Sequence, residues 1–293
     1  ETAQNGVAHL FEHMAFKGAG GRDARQFAEA IESVGGVLNA ATGYERTAYY
    51  ARTLAEHAPF ALELIADILF APHWDPADLE KEKGVVAQER GEAFDAPDDR
   101  VFVLHQSALY PDQPLGRPVL GDEETLRAVG VDDLIAFRET HMSPERIVIS
   151  IAGAFDREAL LQSAERRFGA LARKPPQPFA SALAHAGMAR ETRKLEQTHL
   201  VLSWPAPASG DEALYAARVM TEILGGGMAS RLFQEVREAR GLVYAIDAFL
   251  DTYEDVGRLI VYAGCSAKNA KPVADMVGAQ IALMADRGPS AQE

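Results

Sequence analysis

The run GVAHLFEHMAFKG, residues 6 to 18, sets His9, Glu12 and His13 in the order His-x-x-Glu-His. On a helix of 3.6 residues per turn, the two imidazoles lie about 40° apart in azimuth and one turn apart in height, so both can reach a single ion. Glu12, three residues after His9, shares that face, where a carboxylate can hold and deprotonate a water bound to the ion. The chemistry this points to is hydrolysis at zinc, in a motif that inverts the commoner His-Glu-x-x-His order. A catalytic zinc takes three protein ligands and keeps a fourth position for water. The third must come from elsewhere, and DPADLEKEKGVVAQERGEAFD, residues 75 to 95, is the best source. Asp75 and Pro76 form an N-cap and first-turn pair there. Glu82 and Glu89, seven apart, fall within about 20° on a helix, with Val85 and Val86 between them on the same side. Glu92 shares the stripe and Glu80 falls away from it, so spacing narrows the third ligand without choosing it.

Three further stretches carry recognisable motifs: VGGVLNAATGYERTAYYA from Val34, PLGRPVLGDEETL from Pro114 to Leu126, and LGGGMASRLFQEVREARGLVYAI from Leu224. Together with the pentad and VVAQE, ending at Glu89, they make the chain resemble the pitrilysin, insulysin and mitochondrial-processing-peptidase family of zinc metallopeptidases. The resemblance is to its processing-peptidase-like bacterial branch and covers nearly the whole chain. It implies that His9, His13 and Glu89 bind one Zn2+ per chain, that Glu12 is the general base, and that Glu82 is an acidic group orienting a ligand or water. It also implies that Asn39, Ala40, Ala41 and Thr42 lie on an edge strand holding an extended peptide by main-chain pairing. Arg237 and Tyr244 fall at the spacing of an Arg and a Tyr that touch substrate. The activity implied is endoproteolysis of extended peptides or presequence-like segments. The alternative is a non-catalytic peptide-binding or partner subunit, which would usually have lost the pentad. Pairing with itself or with a related subunit follows from the same resemblance.

Independently of any family, the sequence carries an internal duplication. Residues 24 to 41 align without gaps on residues 230 to 247, placing Arg25 on Arg231, Phe27 on Phe233 and Gly35 on Gly241. Pro59 falls on Pro272 in the helix that follows. Long-period self-similarity means one structural unit used twice. Stepping back from Gly18 onto Gly225, the second copy has Ala216, Val219 and Met220 where the pentad has His9, Glu12 and His13. Only the first copy can hold metal.

Two homologous α/β (α+β) units are therefore expected, each a mainly antiparallel sheet flanked by helices. The boundary is placed at 180/181, within the Pro-rich stretch 173–187. Helices are expected near 7–16, 24–34, 56–70, 76–94, 131–141 and 157–168, then 211–224, 229–240 and from 271. Strands are expected at 37–42, 47–53, 146–152, 198–204, 243–250 and 258–264. The sequence is expected to be cut at both ends, since it opens at Glu1 without methionine and the second copy stops before completing its unit.

A chain of 293 residues that is 47% hydrophobic and 25% charged can bury a large core. No apolar run approaches the ~20 residues that cross a bilayer. A net charge of −14 argues against nucleic acid as partner and favours basic peptides by steering. Cys265, the single cysteine, excludes an internal disulfide and is expected buried. The six other histidines show no ligand spacing. Location is left open, a bacterial cytoplasm or periplasm being preferred over a mitochondrial matrix.

Overall fold

A computed structural model describes residues 4–175 and 179–293. In chain order its elements are α1 (Val7–Ala15), β1 (Gly18–Ala19), β2 (Arg22–Asp23), α2 (Ala24–Glu32), β3 (Val37–Thr42), β4 (Thr47–Arg52), α3 (Ala58–Phe70), α4 (Pro76–Asp95), α5 (Pro97–Leu109), α6 (Glu123–Ala128), α7 (Val131–His141), α8 (Arg157–Phe168), β5 (Thr198–Ala206), α9 (Leu214–Gly225), β6 (Val243–Thr252), β7 (Gly257–Cys265) and α10 (Ala270–Arg287). A π-helical turn, Phe233–Glu238, lies between α9 and β6.

Contacts divide the chain into two compact units, Glu1–Glu92 with Arg117–Phe179, and Ala93–Gly116 with Ala180–Glu293. The first runs helix, helix, antiparallel hairpin, 3-10 turn (Ala55–His57), helix; the second runs α9, the π turn, the hairpin β6–β7, a 3-10 turn (Ala267–Asn269) and α10. Apart from the short β1–β2 pair of the first unit, the order of elements thus repeats along the two stretches that align in sequence. In the second unit β7 lies between β5 and β6 in a three-stranded antiparallel sheet. Its core gathers Leu224, Leu232, Val236, Leu259, Val261, Val273 and Val277.

Local signals account for the ends of the elements. Asp23 Oδ1 accepts from the Gln26 N–H at 2.8 Å while Gln26 Oε1 accepts from the Asp23 N–H at 3.0 Å, a complete capping box that starts α2. At Asp75 the carboxylate accepts from the Ala77 N–H at 2.7 Å and opens α4.

Two expectations from the sequence are corrected. Residues 97–109, where the sequence predicts no element, form α5, because Pro97 cannot continue α4 and suits the first turn of a new helix. This helix groups with the second unit, where Phe102 meets Phe249 and Tyr262 at ring separations of 5.9 and 5.7 Å. Residues 146–152 do not form a strand. Pro144–Arg146 is a 3-10 turn, and the apolar run that follows joins no ladder among the described residues, with Val148 91% exposed. Between this run and β4 lies a groove of about 1380 Å³. Strand-like composition produces a strand only where a partner supplies the hydrogen bonds.

Candidate metal centre

Helix α1 divides its residues between two faces. Val7, Leu10, Phe11 and Met14, at most 1% exposed, recur at helical spacing and pack with Leu79 and Val86 of α4 and with Leu126 and Leu134. Burying each such side chain stabilises by roughly 1.5–3 kcal/mol, so this face fixes the rotation of the helix. His9, Glu12 and His13 are thereby turned the other way. The start of α1 is held by a close approach of two glycines: Gly6 has φ +88°, and a Cβ there would stand 2.8 Å from the Gly121 Cα. Gly121 itself has φ +71°, so neither position accepts a side chain without strain.

Along α4 the inward stripe is Leu79, Glu82 and Val86, with Glu89 half-buried one turn further. Val85, expected on this stripe, is 42% exposed, because its place three residues after Glu82 puts it on the margin of the face. Glu82, by contrast, is only 6% exposed.

These two helices bring three ligand atoms together. Glu89 Oε2 lies 3.7 Å from His9 Nε2 and 3.4 Å from His13 Nε2, and the two rings meet edge to face with centroids 4.6 Å apart. One atom from each residue falls within 4.8 Å of the others. Such separations are too long for good hydrogen bonds. They match the ~3.4 Å between ligand atoms on a tetrahedral zinc with bonds of about 2.0–2.2 Å. Burial holds the His9 pKa below its ordinary value, with His13 adding to the effect and Glu12 and Glu89 opposing it. A neutral imidazole is the form that offers a lone pair to a metal. Glu82 Oε2 accepts from His13 Nδ1 at 3.0 Å, which leaves Nε2 of the neutral ring free to ligate. No such partner serves His9, whose buried Nδ1 makes no hydrogen bond among the described residues. Two imidazole nitrogens, one of them on the histidine held by Glu82, and one carboxylate suit Zn2+. No other group of three potential ligands within reach of one ion occurs among the described residues.

Glu12 is gripped from the hairpin. The Thr42 hydroxyl donates to Glu12 Oε2, and the hydroxyl of Thr47, its cross-strand partner, stands 3.2 Å from that of Thr42. Tyr49 brings its buried phenol to the same region; burial first, and Glu12 second, push its pKa above the usual value and keep it protonated.

Of the residues singled out from the sequence, His9, Glu12, His13, Glu82, Glu89 and Thr42 come together in the first unit. Strand β3, with Asn39, Ala40 and Ala41, pairs only with β4 among the described residues and so keeps one free edge. Arg237 and Tyr244 lie in the second unit, each at an irregularity. Arg237 sits in the π turn with its guanidinium 4.6 Å from the Phe233 ring centroid, and Tyr244, 74% exposed, stands at a register shift in β6. Two contacts escaped the sequence reading. One is the Thr42 hydroxyl on Glu12; the other is Lys17, whose Nζ lies 2.6 Å from Glu82 Oε1. The available signal for Lys17 was its place four residues after His13, continuing the 9–13 row.

Comparison with known proteins bears on the whole chain. A family model described as Insulinase (Peptidase family M16) matches residues 1–123, and one described as Peptidase M16 inactive domain matches residues 128–293. A Bacillus subtilis protein named an uncharacterized zinc protease is 37% identical over 99% of this chain and 71% of its own length. A Rickettsia bellii protein of the same description is 38% identical over 97% of this chain and 69% of its own. Two crystal structures share the fold over 99% of the chain. A protease from Helicobacter pylori has a TM-score of 0.90 at 19% identity, and a peptidase M16 inactive domain from Pseudomonas fluorescens has 0.86 at 22%; the chain spans 72% and 71% of their lengths.

Proposed function

The chain belongs to peptidase family M16, the insulinase family, in its bacterial branch, and on that premise we propose that it is a zinc-dependent endopeptidase acting on extended peptides. The observation that carries the reading is the convergence of His9 Nε2, His13 Nε2 and Glu89 Oε2 beside Glu12. In this reading His9, His13 and Glu89 hold the ion. Bound zinc would supply Lewis-acid polarisation of the scissile carbonyl and a water acidic enough to ionise near neutral pH.

The remaining steps belong to the chain's own groups. Glu12 takes a proton from the attacking water and returns it to the leaving amine nitrogen. With Oε2 occupied by Thr42, Oε1 is the oxygen left for that transfer. Glu82 keeps His13 in the tautomer that presents Nε2. The free edge of β3 offers main-chain pairing to an extended substrate around Asn39, Ala40 and Ala41.

Glu12→Gln tests the proposal, because glutamine keeps the shape and cannot take the proton. Zinc content should stay at one per chain while cleavage of a fluorogenic peptide falls about 10²- to 10⁴-fold. Undiminished turnover would remove Glu12 from the mechanism.

A further inference from the structure

Glu82 is a buried carboxylate, and in such a place an ionised group is stable only with partners on both oxygens. It has one on each: His13 Nδ1 at 3.0 Å from Oε2, and Lys17 Nζ at 2.6 Å from Oε1. Three carboxylates surround the site, those of Glu12, Glu82 and Glu89, and Lys17 forms an ion pair with Glu82.

The backbone delivers Lys17 from a fixed position. Its N–H donates to the Met14 carbonyl at 3.1 Å as α1 ends, and the next residue, Gly18, turns away at φ +122° into β1. The Gly18 carbonyl then accepts from the His73 N–H at 2.8 Å. The backbone thus fixes where the Lys17 side chain starts, and the ion pair with Glu82 fixes where its ammonium ends.

We infer that Lys17 is a positioning residue of the metal centre: it pins Glu82, Glu82 pins His13, and His13 Nε2 is thereby held for the ion. The inference rests on the zinc reading above and adds to it a chain of three residues running from the surface to the metal. It makes a prediction of sign. By charge alone, a cation this close to a divalent metal opposes binding, so removing it would tighten the site. If Lys17 acts by positioning, removing it loosens the site instead.

The test is Zn2+ affinity of the 293-residue chain, measured by competition with a chromogenic chelator, for the wild type, Lys17→Met and Lys17→Arg. Lys17→Met keeps the stem and loses the charge, and should bind Zn2+ about 10-fold or more weakly. Lys17→Arg keeps the ion pair and should recover most of that loss. The visible spectrum of the Co2+-loaded protein, which reports ligand geometry without turnover, should change in Lys17→Met and return in Lys17→Arg. Should Lys17→Met fail to fold by circular dichroism, Lys17→Gln replaces it with the same expectation. Equal or tighter Zn2+ binding by the neutral variant overturns the inference while leaving the zinc reading intact. A wild-type chain that binds no Zn2+ overturns both.

Discussion

Replacing Thr42 by valine removes one hydroxyl and almost nothing else, which makes it the sharpest probe of how Glu12 is held. Valine is close to threonine in shape and favours a strand, so β3 should keep its pairing from Val37–Arg52 to Thr42–Thr47. The lost interaction is a hydrogen bond to a charged acceptor, worth about 1.5–3 kcal/mol. At about 1.4 kcal/mol per factor of ten, complete expression of that loss in the transition state would lower kcat roughly 10- to 150-fold. The position of Glu12 on α1 retains part of its orientation, so a 10- to 50-fold fall is expected, at the lower part of that range. Zinc content and KM should stay near the wild-type values, since the side chain touches Glu12 and not the ligands. Thr42→Ser, which restores the donor, should recover most of the rate. The assay is steady-state cleavage of a fluorogenic peptide with zinc measured in the same samples. An unchanged kcat, or a loss confined to KM, would refute the orienting role and leave Thr42 a residue of the peptide edge alone.

Removing Glu89 as alanine should abolish stoichiometric zinc by elemental analysis, because two histidines remain of three ligands; full zinc in that variant would move the third ligand elsewhere, with Glu82 next in line. The second unit carries a pH dependence of its own. His105, 2.7 Å from the Ser203 hydroxyl, is held at a pKa of about 4 by burial, with Arg258 adding to the effect. Because its ordinary pKa is about 6.5, protons bind the unfolded chain more readily, so the stability it contributes is complete above pH 6.5 and is lost as pH falls towards 4. The full gap corresponds to about 3 kcal/mol, reduced to roughly 2 by its partial exposure to solvent. Urea unfolding at pH 7 and 4.5 should therefore separate less for His105→Asn than for the wild type, and equal separations would exclude the histidine as the cause.

The parts of the molecule legible in the sequence are those where chemistry and periodicity coincide. Four large apolar residues on one face of α1 fix which way His9, Glu12 and His13 point, and both facts stand in the same nine letters. Glu89 could be placed on a stripe but not chosen over Glu82 by spacing alone. What separates them is burial and reach: Glu82 is buried against His13 Nδ1, while Glu89 stands half-buried near both Nε2 atoms, and these are properties of packing and not of either helix. Residues 146–152 read as a strand because β-branched residues prefer extended backbone, yet pairing depends on a neighbour no local pattern encodes. Helix α5 is not legible in the sequence because its residues lack a clear apolar stripe, Gln106 being its one buried residue. Lys17 and the hydroxyl of Thr42 act through contacts with residues far away in sequence, 65 positions for Lys17 and 30 for Thr42, which single-sequence reasoning cannot see.

The groove beside β4 has a practical consequence for anyone handling this chain. One bank is a strand whose outer row of amides and carbonyls is unpaired among the described residues, and the other is a run of isoleucine and valine, Ile147 to Ile151. Such surfaces are sticky in one dimension: they accept any strand of matching length, including one from another copy of the same protein. That adhesive surface runs along β4 and Ile147–Ala152, and its groove reaches the helix of the pentad itself at Ala8 and Phe11. A concentrated sample tests sheet adhesion before it tests catalysis, and dilute conditions are where the zinc chemistry can be read cleanly.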